Sequence, residues 1–108
     1  MQKIPVVEEN KVTKYLLAPE HEKGGPKARF FLRFKFDRDH PDILIDALIS
    51  HWYAHPIHRT VMTDRGPAVT KKCAISTLDG RDPCIRSVWM DETGTGVYRL
   101  ITAYPATA

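Results

Sequence analysis

Cysteine is scarce in this chain: 108 residues hold two, Cys73 and Cys84. Two thiols are too few for a disulfide scaffold or a closed structural zinc site. Long apolar runs are missing as well. A bilayer-spanning helix needs about 18 consecutive apolar residues, and no stretch approaches that. The opening MQKIPVVEENK has no apolar stretch of the secretory-signal kind. The expected location is therefore the cytoplasm, without membrane contact. Repeats, linkers and low-complexity tracts are absent too, so residues 1–108 read as a single domain, long enough to bury a real core.

What is present is an ordinary globular composition, 43% hydrophobic and 27% charged, with a formal net charge of +3. That balance permits an acidic partner without requiring one. The first half carries helix signals. Asn10 can cap a short helix from Lys11 to Leu17, which Pro19 stops. Glu20 to Pro26, with Gly24-Gly25, reads as a loop. Residues 27–36 fit two patterns. Phe30, Leu32, Phe34 and Phe36 alternate with Arg29, Arg33 and Lys35, as in a strand. Pro26 suits a first helical turn, however, and Ala28, Phe31 and Leu32 would share a helical face. The balance leans to a helix with an extended exit. The clearest helix opens at Asp39-His40-Pro41-Asp42, with Asp39 as cap. Its apolar stripe is Leu44, Leu48 and Trp52 with Ile45 and Ile49, and His55-Pro56 ends it.

From Ile57 the texture changes to short runs separated by turns. Ile57 to Thr63, Ala68 to Thr77, Cys84 to Asp91 and Val97 to Tyr104 read as strands joined by hairpin-length connections. The expected fold is α+β, with N-terminal helices packed on a four-stranded antiparallel β-meander.

Every predicted strand carries a cation: Arg59, Lys71 with Lys72, Arg86 and Arg99. If even-length turns centre on Asp79-Gly80 and follow Glu92, then Lys71, Cys73, Arg86, Val88 and Arg99 share one face. Trp89, Tyr98 and Tyr104 then take the other, as core residues. Like charges facing each other across strands repel, and a bound anion relieves that repulsion. Arg59, Lys71, Arg86 and Arg99 are thus candidates for holding a nucleic-acid backbone, against the plainer reading of a solvated outer face. Cys73 and Cys84 fall near each other in a diagonal relation, as buried, reduced thiols.

The histidines supply groups that exchange protons near neutral pH. His51 and His55 stand four apart, half of a metal-site spacing, but no second pair follows. Neither a metal nor any other cofactor is expected. Their place at a helix C-terminus reads instead as favouring cationic side chains. His21 lies in the Gly-rich loop with Lys27 close behind. Metal-free RNA cleavage needs a base, an acid and cations on the phosphate. His21, Lys27 and Thr102 are the candidate catalytic residues, and Arg86, Arg99 and Tyr104 are also of suitable type.

Two segments carry a resemblance. Lys14-Tyr15-Leu16-Leu17, Pro19-Glu20-His21, Gly24-Gly25 and Lys27-Ala28-Arg29-Phe30-Phe31 resemble the opening of a small uncharacterised bacterial domain family, found alone or at the C-terminus of polymorphic toxins. Arg86-Ser87-Val88-Trp89 and Arg99 to Pro105 resemble its end. The element order is also similar to the fold shared by barnase, colicin nucleases and RelE-type toxins. The resemblance implies a toxin-like RNA-binding protein or metal-independent ribonuclease, and it marks His21, Lys27, Arg86, Trp89, Arg99, Thr102 and Tyr104. RNA and a cognate antitoxin are the implied partners. The alternative is a non-catalytic interaction module: an antitoxin, immunity protein or inhibitor. Homodimerisation through an uncovered edge strand is compatible with each reading.

Overall fold

The computed structural model describes residues 3–107. The chain opens with a strand absent from the expected set, β1 (Ile4–Val6), followed by a helical arm. A single turn, α1 (Glu9–Lys11), widens directly into a π-helical turn, Val12–Leu16, where the Leu17 N–H reaches back five residues to the Val12 carbonyl at 2.8 Å. Glu8 occupies the cap position without a side-chain bond, so Asn10 is not the cap. Next comes α2 (Gly25–Leu32), with Pro26 in its first turn, which settles the 27–36 segment as a helix. Its exit is a turn rather than extended chain, and Lys35 there adopts φ +74°. Helix α3 (Pro41–Ala54) starts with His40, not Asp39, at the cap position.

Four further strands follow: β2 (Ile57–Thr63), β3 (Gly66–Ala74), β4 (Cys84–Met90) and β5 (Val97–Pro105). They form the expected antiparallel meander. The complete sheet has five strands in the order β1-β5-β4-β3-β2, with β1 parallel to β5. The class is α+β. The expected strand count and purely antiparallel pairing are corrected by β1. Parallel pairing of residues some ninety positions apart leaves no local turn signal to read.

Register decides which side chains share a face, and it differs from expectation by one residue. Lys71 pairs with Ser87 and Lys72 with Arg86. The loop joining β3 to β4 holds two left-handed residues, Gly80 (φ +75°) and Asp82 (φ +45°), and does not fold as a symmetric turn about Asp79-Gly80. A one-residue slip exchanges faces. Lys71 therefore lies on the core side, and Lys72 lies beside Arg86. In β5 a bulge at Ile101 has a similar effect. Arg99 keeps the expected side, but Tyr104 pairs with Arg86 and faces away from the core, opposite to expectation. Trp89 and Tyr98 are core residues, as expected.

Helices cover one face of the sheet. Val12, Leu16, Phe31, Leu44 and Leu48 meet Val69, Ile85, Trp89, Leu100 and Ala103 in a continuous core. Trp52 packs edge-on against Trp89, with ring centroids 5.3 Å apart. Lys71 completes this corner. Its Nζ lies 4.4 Å from the centre of the Trp52 ring and donates to the His55 carbonyl at 2.7 Å, at the negative end of α3. Burial, with a smaller push from the charge of Lys3, holds its ammonium below the usual lysine range.

His51, only 1% exposed, joins α3 to the sheet. Its Nε2–H donates to the Cys73 carbonyl at 2.9 Å. Its Nδ1 then accepts from the Ser87 hydroxyl at 2.9 Å, and Ser87 Oγ accepts from the Trp89 indole N–H at 2.8 Å. Each polar side-chain atom in this run of hydrogen bonds has a partner. The ring is neutral, which corrects the expectation of a cationic histidine at this helix end. Burial lowers its pKa from 6.5 to about 4, against the raising effect of the Cys73 carbonyl.

Because the folded pKa lies below the unfolded one, the unfolded chain binds the proton more readily. Stability is therefore expected to fall as pH drops from 6.5 towards 4, by on the order of 3 kcal/mol. Urea unfolding midpoints across that range measure the slope. His51→Leu should flatten it while lowering stability at neutral pH, because Ser87 and the Cys73 carbonyl lose their partner.

Candidate functional site

The three candidate catalytic residues His21, Lys27 and Thr102 come from a loop, a helix and the last strand, and all of them converge on Tyr15. The π-helical turn leaves the Tyr15 ring half-buried between the arm and β5. Strand β1 pairs with β5 only as far as Arg99, so beyond that residue it leaves the outer edge of β5 free. There the Tyr15 hydroxyl meets Thr102 Oγ1 at 3.0 Å. Lys27, in the first turn of α2, donates from Nζ to the same phenolic oxygen at 2.5 Å. The His21 ring stands edge-on to the Tyr15 ring, with centroids 5.1 Å apart.

Local sequence explains the closeness. A Cβ on Gly24 would lie 2.7–2.9 Å from the Tyr15 ring and carbonyl, so only glycine lets the loop approach. The Gly24 and Lys23 backbone N–H groups donate to His21 Nδ1 at 2.9 and 3.1 Å. Nδ1 is thereby an acceptor, and the neutral ring carries its proton on Nε2.

The electrostatics of Tyr15 follow from these contacts. Burial pushes its hydroxyl up, but hydrogen bonds from Lys27 and Thr102 and the charges of Lys27 and Lys11 outweigh it, so the pKa is lowered. Lys11 sits 5.3 Å from the ring centre. An open depression of about 280 Å³ adjoins the ring, lined by Glu8, Asn10, Lys11 and Tyr15.

The candidate cations are not one row. Arg59 and Arg86 line one small cleft with His58, Thr70 and Tyr104. Arg86 Nε is buried without a hydrogen-bond partner among the described residues. Lys72, paired with Arg86, shares this face, whereas Lys71 points into the core. Arg99 shares the face but lies at its far end, where its Nη1 donates to Glu8 at 3.2 Å. The cleft and the Tyr15 cluster are neighbours: Tyr104 stands two residues after Thr102 on one side of β5, about 7 Å along the strand.

His51 and His55 have ring centroids 4.8 Å apart, but their Nε2 atoms are committed to the carbonyls of Cys73 and Ala74. Among the described residues no three His, Cys, Asp or Glu side chains gather as a metal site, and no helix is long and apolar enough to cross a membrane. Tyr15 is the residue that sequence reasoning did not select. The available signal was an aromatic side chain two positions before Leu17, followed closely by His21 and a paired glycine.

Residues 2–107 match DUF6883, a domain of unknown function. The chain belongs to the DUF6883 family. No curated protein matches it in sequence. Among solved structures it is similar to a chain of a contact-dependent growth inhibition toxin–immunity protein complex from Klebsiella pneumoniae 342. The TM-score is 0.75 at 14% identity, over 95% of this chain and 94% of that one. At such low identity the shared property is the fold. The suspected bacterial toxin-system domain thus stands at the level of a DUF6883 domain with a toxin–immunity structural neighbour.

Three variants test the geometry. Tyr15→Phe removes both hydroxyl bonds and should cost about 1–2 kcal/mol by chemical denaturation. Lys27→Met should raise the tyrosine titration midpoint seen by ultraviolet absorbance, and Gly24→Ala should destabilise by about 1–3 kcal/mol by forcing Tyr15 aside.

Proposed function

We propose that this protein is a toxin-like, metal-independent ribonuclease whose centre is the Tyr15 cluster. The observation that carries the reading is the meeting of His21, Lys27 and Thr102 on one phenolic oxygen and its ring, beside an unpaired buried arginine nitrogen. A structural neighbour in a toxin–immunity complex supports the biological setting.

The roles follow from the hydrogen bonds. A phenol whose oxygen receives an ammonium donor is a stronger acid than free tyrosine, and the same ammonium holds the phenolate left behind. In cleavage, the 2′-oxygen bonds to phosphorus and its proton passes to water. The bond from phosphorus to the 5′-oxygen breaks, and the Tyr15 proton goes to that oxygen. Lys27 and the His21 Nε2–H stabilise charge on the phosphate oxygens, and Thr102 orients the phenol. His21 thus acts as a hydrogen-bond donor rather than as the base, because its Nδ1 lone pair is already occupied. Arg86, Arg59 and Lys72 hold the neighbouring backbone. Lys71 and Arg99 are not needed for this, one being buried over Trp52 and the other paired with Glu8.

A protein partner is the second reading, favoured by β2. This strand is the sheet's outer edge and its residues from Ile57 to Met62 are all exposed, with Met62 at 73%. An uncovered apolar edge suits strand addition by an inhibitor.

The test is incubation of the purified protein with RNA in the presence of EDTA. Cleavage is expected, with Tyr15→Phe and Lys27→Met each reducing the rate by about 10²-fold or more. Arg86→Gln should weaken binding and reduce its salt dependence. Intact RNA together with no salt-dependent binding overturns the proposal.

A further inference from the structure

Cys73 has a left-handed backbone, φ +116°, at the end of strand β3. Only glycine takes that region without strain. The ladder gives it no role. Cys73 pairs with Ile85 and Ala74 with Cys84, so regular alternation would set Cys73 on the side of the buried Ile85 and Cys84 on the other. The positive φ breaks the alternation, and the result is contact between the two sulfurs: Sγ to Sγ is 3.1 Å. Both thiols are free and half-buried.

The twist is held in place from α3. His51 donates to the Cys73 carbonyl at 2.9 Å, and His55 bonds the next carbonyl, Ala74, at 2.8 Å. Two successive carbonyls fixed by two histidines keep a strained residue where its sulfur reaches its neighbour. Burial raises the Cys84 thiol, as do its hydrogen bond and proximity to Cys73, against the lowering charges of Lys72 and Arg86. The Cys84 thiol is thus held in its protonated form against the Cys73 sulfur, and contact between the two sulfurs aligns the pair for closure.

We infer that Cys73 and Cys84 form a redox-closable dithiol, a modification site that a small-molecule disulfide converts to an intramolecular disulfide. One cysteine thiolate attacks the small disulfide, forming a mixed disulfide and expelling one small thiolate. The second cysteine, as thiolate, attacks the protein sulfur of that mixed disulfide and expels the other. The cysteine pair loses two electrons, the small disulfide gains them, and the two protons leave with the two small thiols. Closure crosslinks residues eleven apart and fastens the Thr77–Asp82 turn to the sheet two residues from Arg86.

The experiment equilibrates the folded protein with mixtures of oxidised and reduced glutathione, quenches by alkylation and maps the peptides by mass spectrometry. The expected product joins the Cys73 and Cys84 peptides with the loss of two hydrogens and reopens in excess reduced glutathione. Closure should be about ten-fold or more faster in the native state than in urea, because the fold supplies the alignment. Cys84→Ala should instead stop at one glutathione on Cys73. Two persistent free thiols, two separate glutathione adducts, disulfides between molecules, or closure no faster in the native state than in urea each overturn the inference. The native-versus-urea comparison uses the wild-type chain, so a variant that fails to fold does not remove the test.

Discussion

A run of hydrogen bonds from the Trp89 indole through Ser87 to His51 and on to the Cys73 carbonyl determines how α3 lies on the sheet. Apolar contacts alone would let a helix slide or rotate on a flat sheet face, since dispersion is weakly directional. A directional chain through one buried ring permits one placement. With α3 so placed, Trp52 sits between Trp89 and the ammonium of Lys71, Leu44 and Leu48 complete the core, and the β3–β4 end of the sheet is fastened. The cost is a neutral histidine that acid can charge.

The polar contacts of Tyr15 gather at the opposite side, where the helical arm meets β5. Tyr15 gains its character from groups distant in sequence: a lysine on α2, a threonine on the last strand and a histidine in the loop between arm and helix. Gly24 permits the approach, and the π-helical turn supplies the room. The cations divide by burial and pairing. Lys71 is used up in structure and Arg99 by a surface pair of little energetic consequence, which leaves Arg86 with Arg59 and Lys72 around an unpaired guanidinium nitrogen.

The legible parts of this fold were those written locally. Pro26, Pro41, His55-Pro56 and the runs of β-branched residues mark α2, α3 and four strands. His21 and Lys27 could be paired because they stand six residues apart, across the turn from the loop into α2. Face assignments were not legible to the same depth. They hang on whether a turn holds an odd or even number of residues, and Asp82 in a left-handed conformation and the bulge at Ile101 give no strong sequence signal. Those two details moved Lys71 and Tyr104 to the other face. Strand β1 was illegible for a different reason: three residues that include Pro5 become a strand only when β5 is there to pair with them. Tyr15 was overlooked because a half-buried aromatic in an apolar helix looks like core until its hydroxyl partners are known.

The hydroxyl contact between Tyr15 and Thr102 spans 87 positions, and β1 pairs with the same final strand. Local helices and hairpins can form from neighbouring chain, whereas this junction must await closure of nearly the whole polypeptide, and long loops close late. During synthesis, then, a ribosome-bound chain short of β5 can hold much of its sheet and still lack the Tyr15–Thr102 junction. The Tyr15 cluster is complete only when the last strand docks.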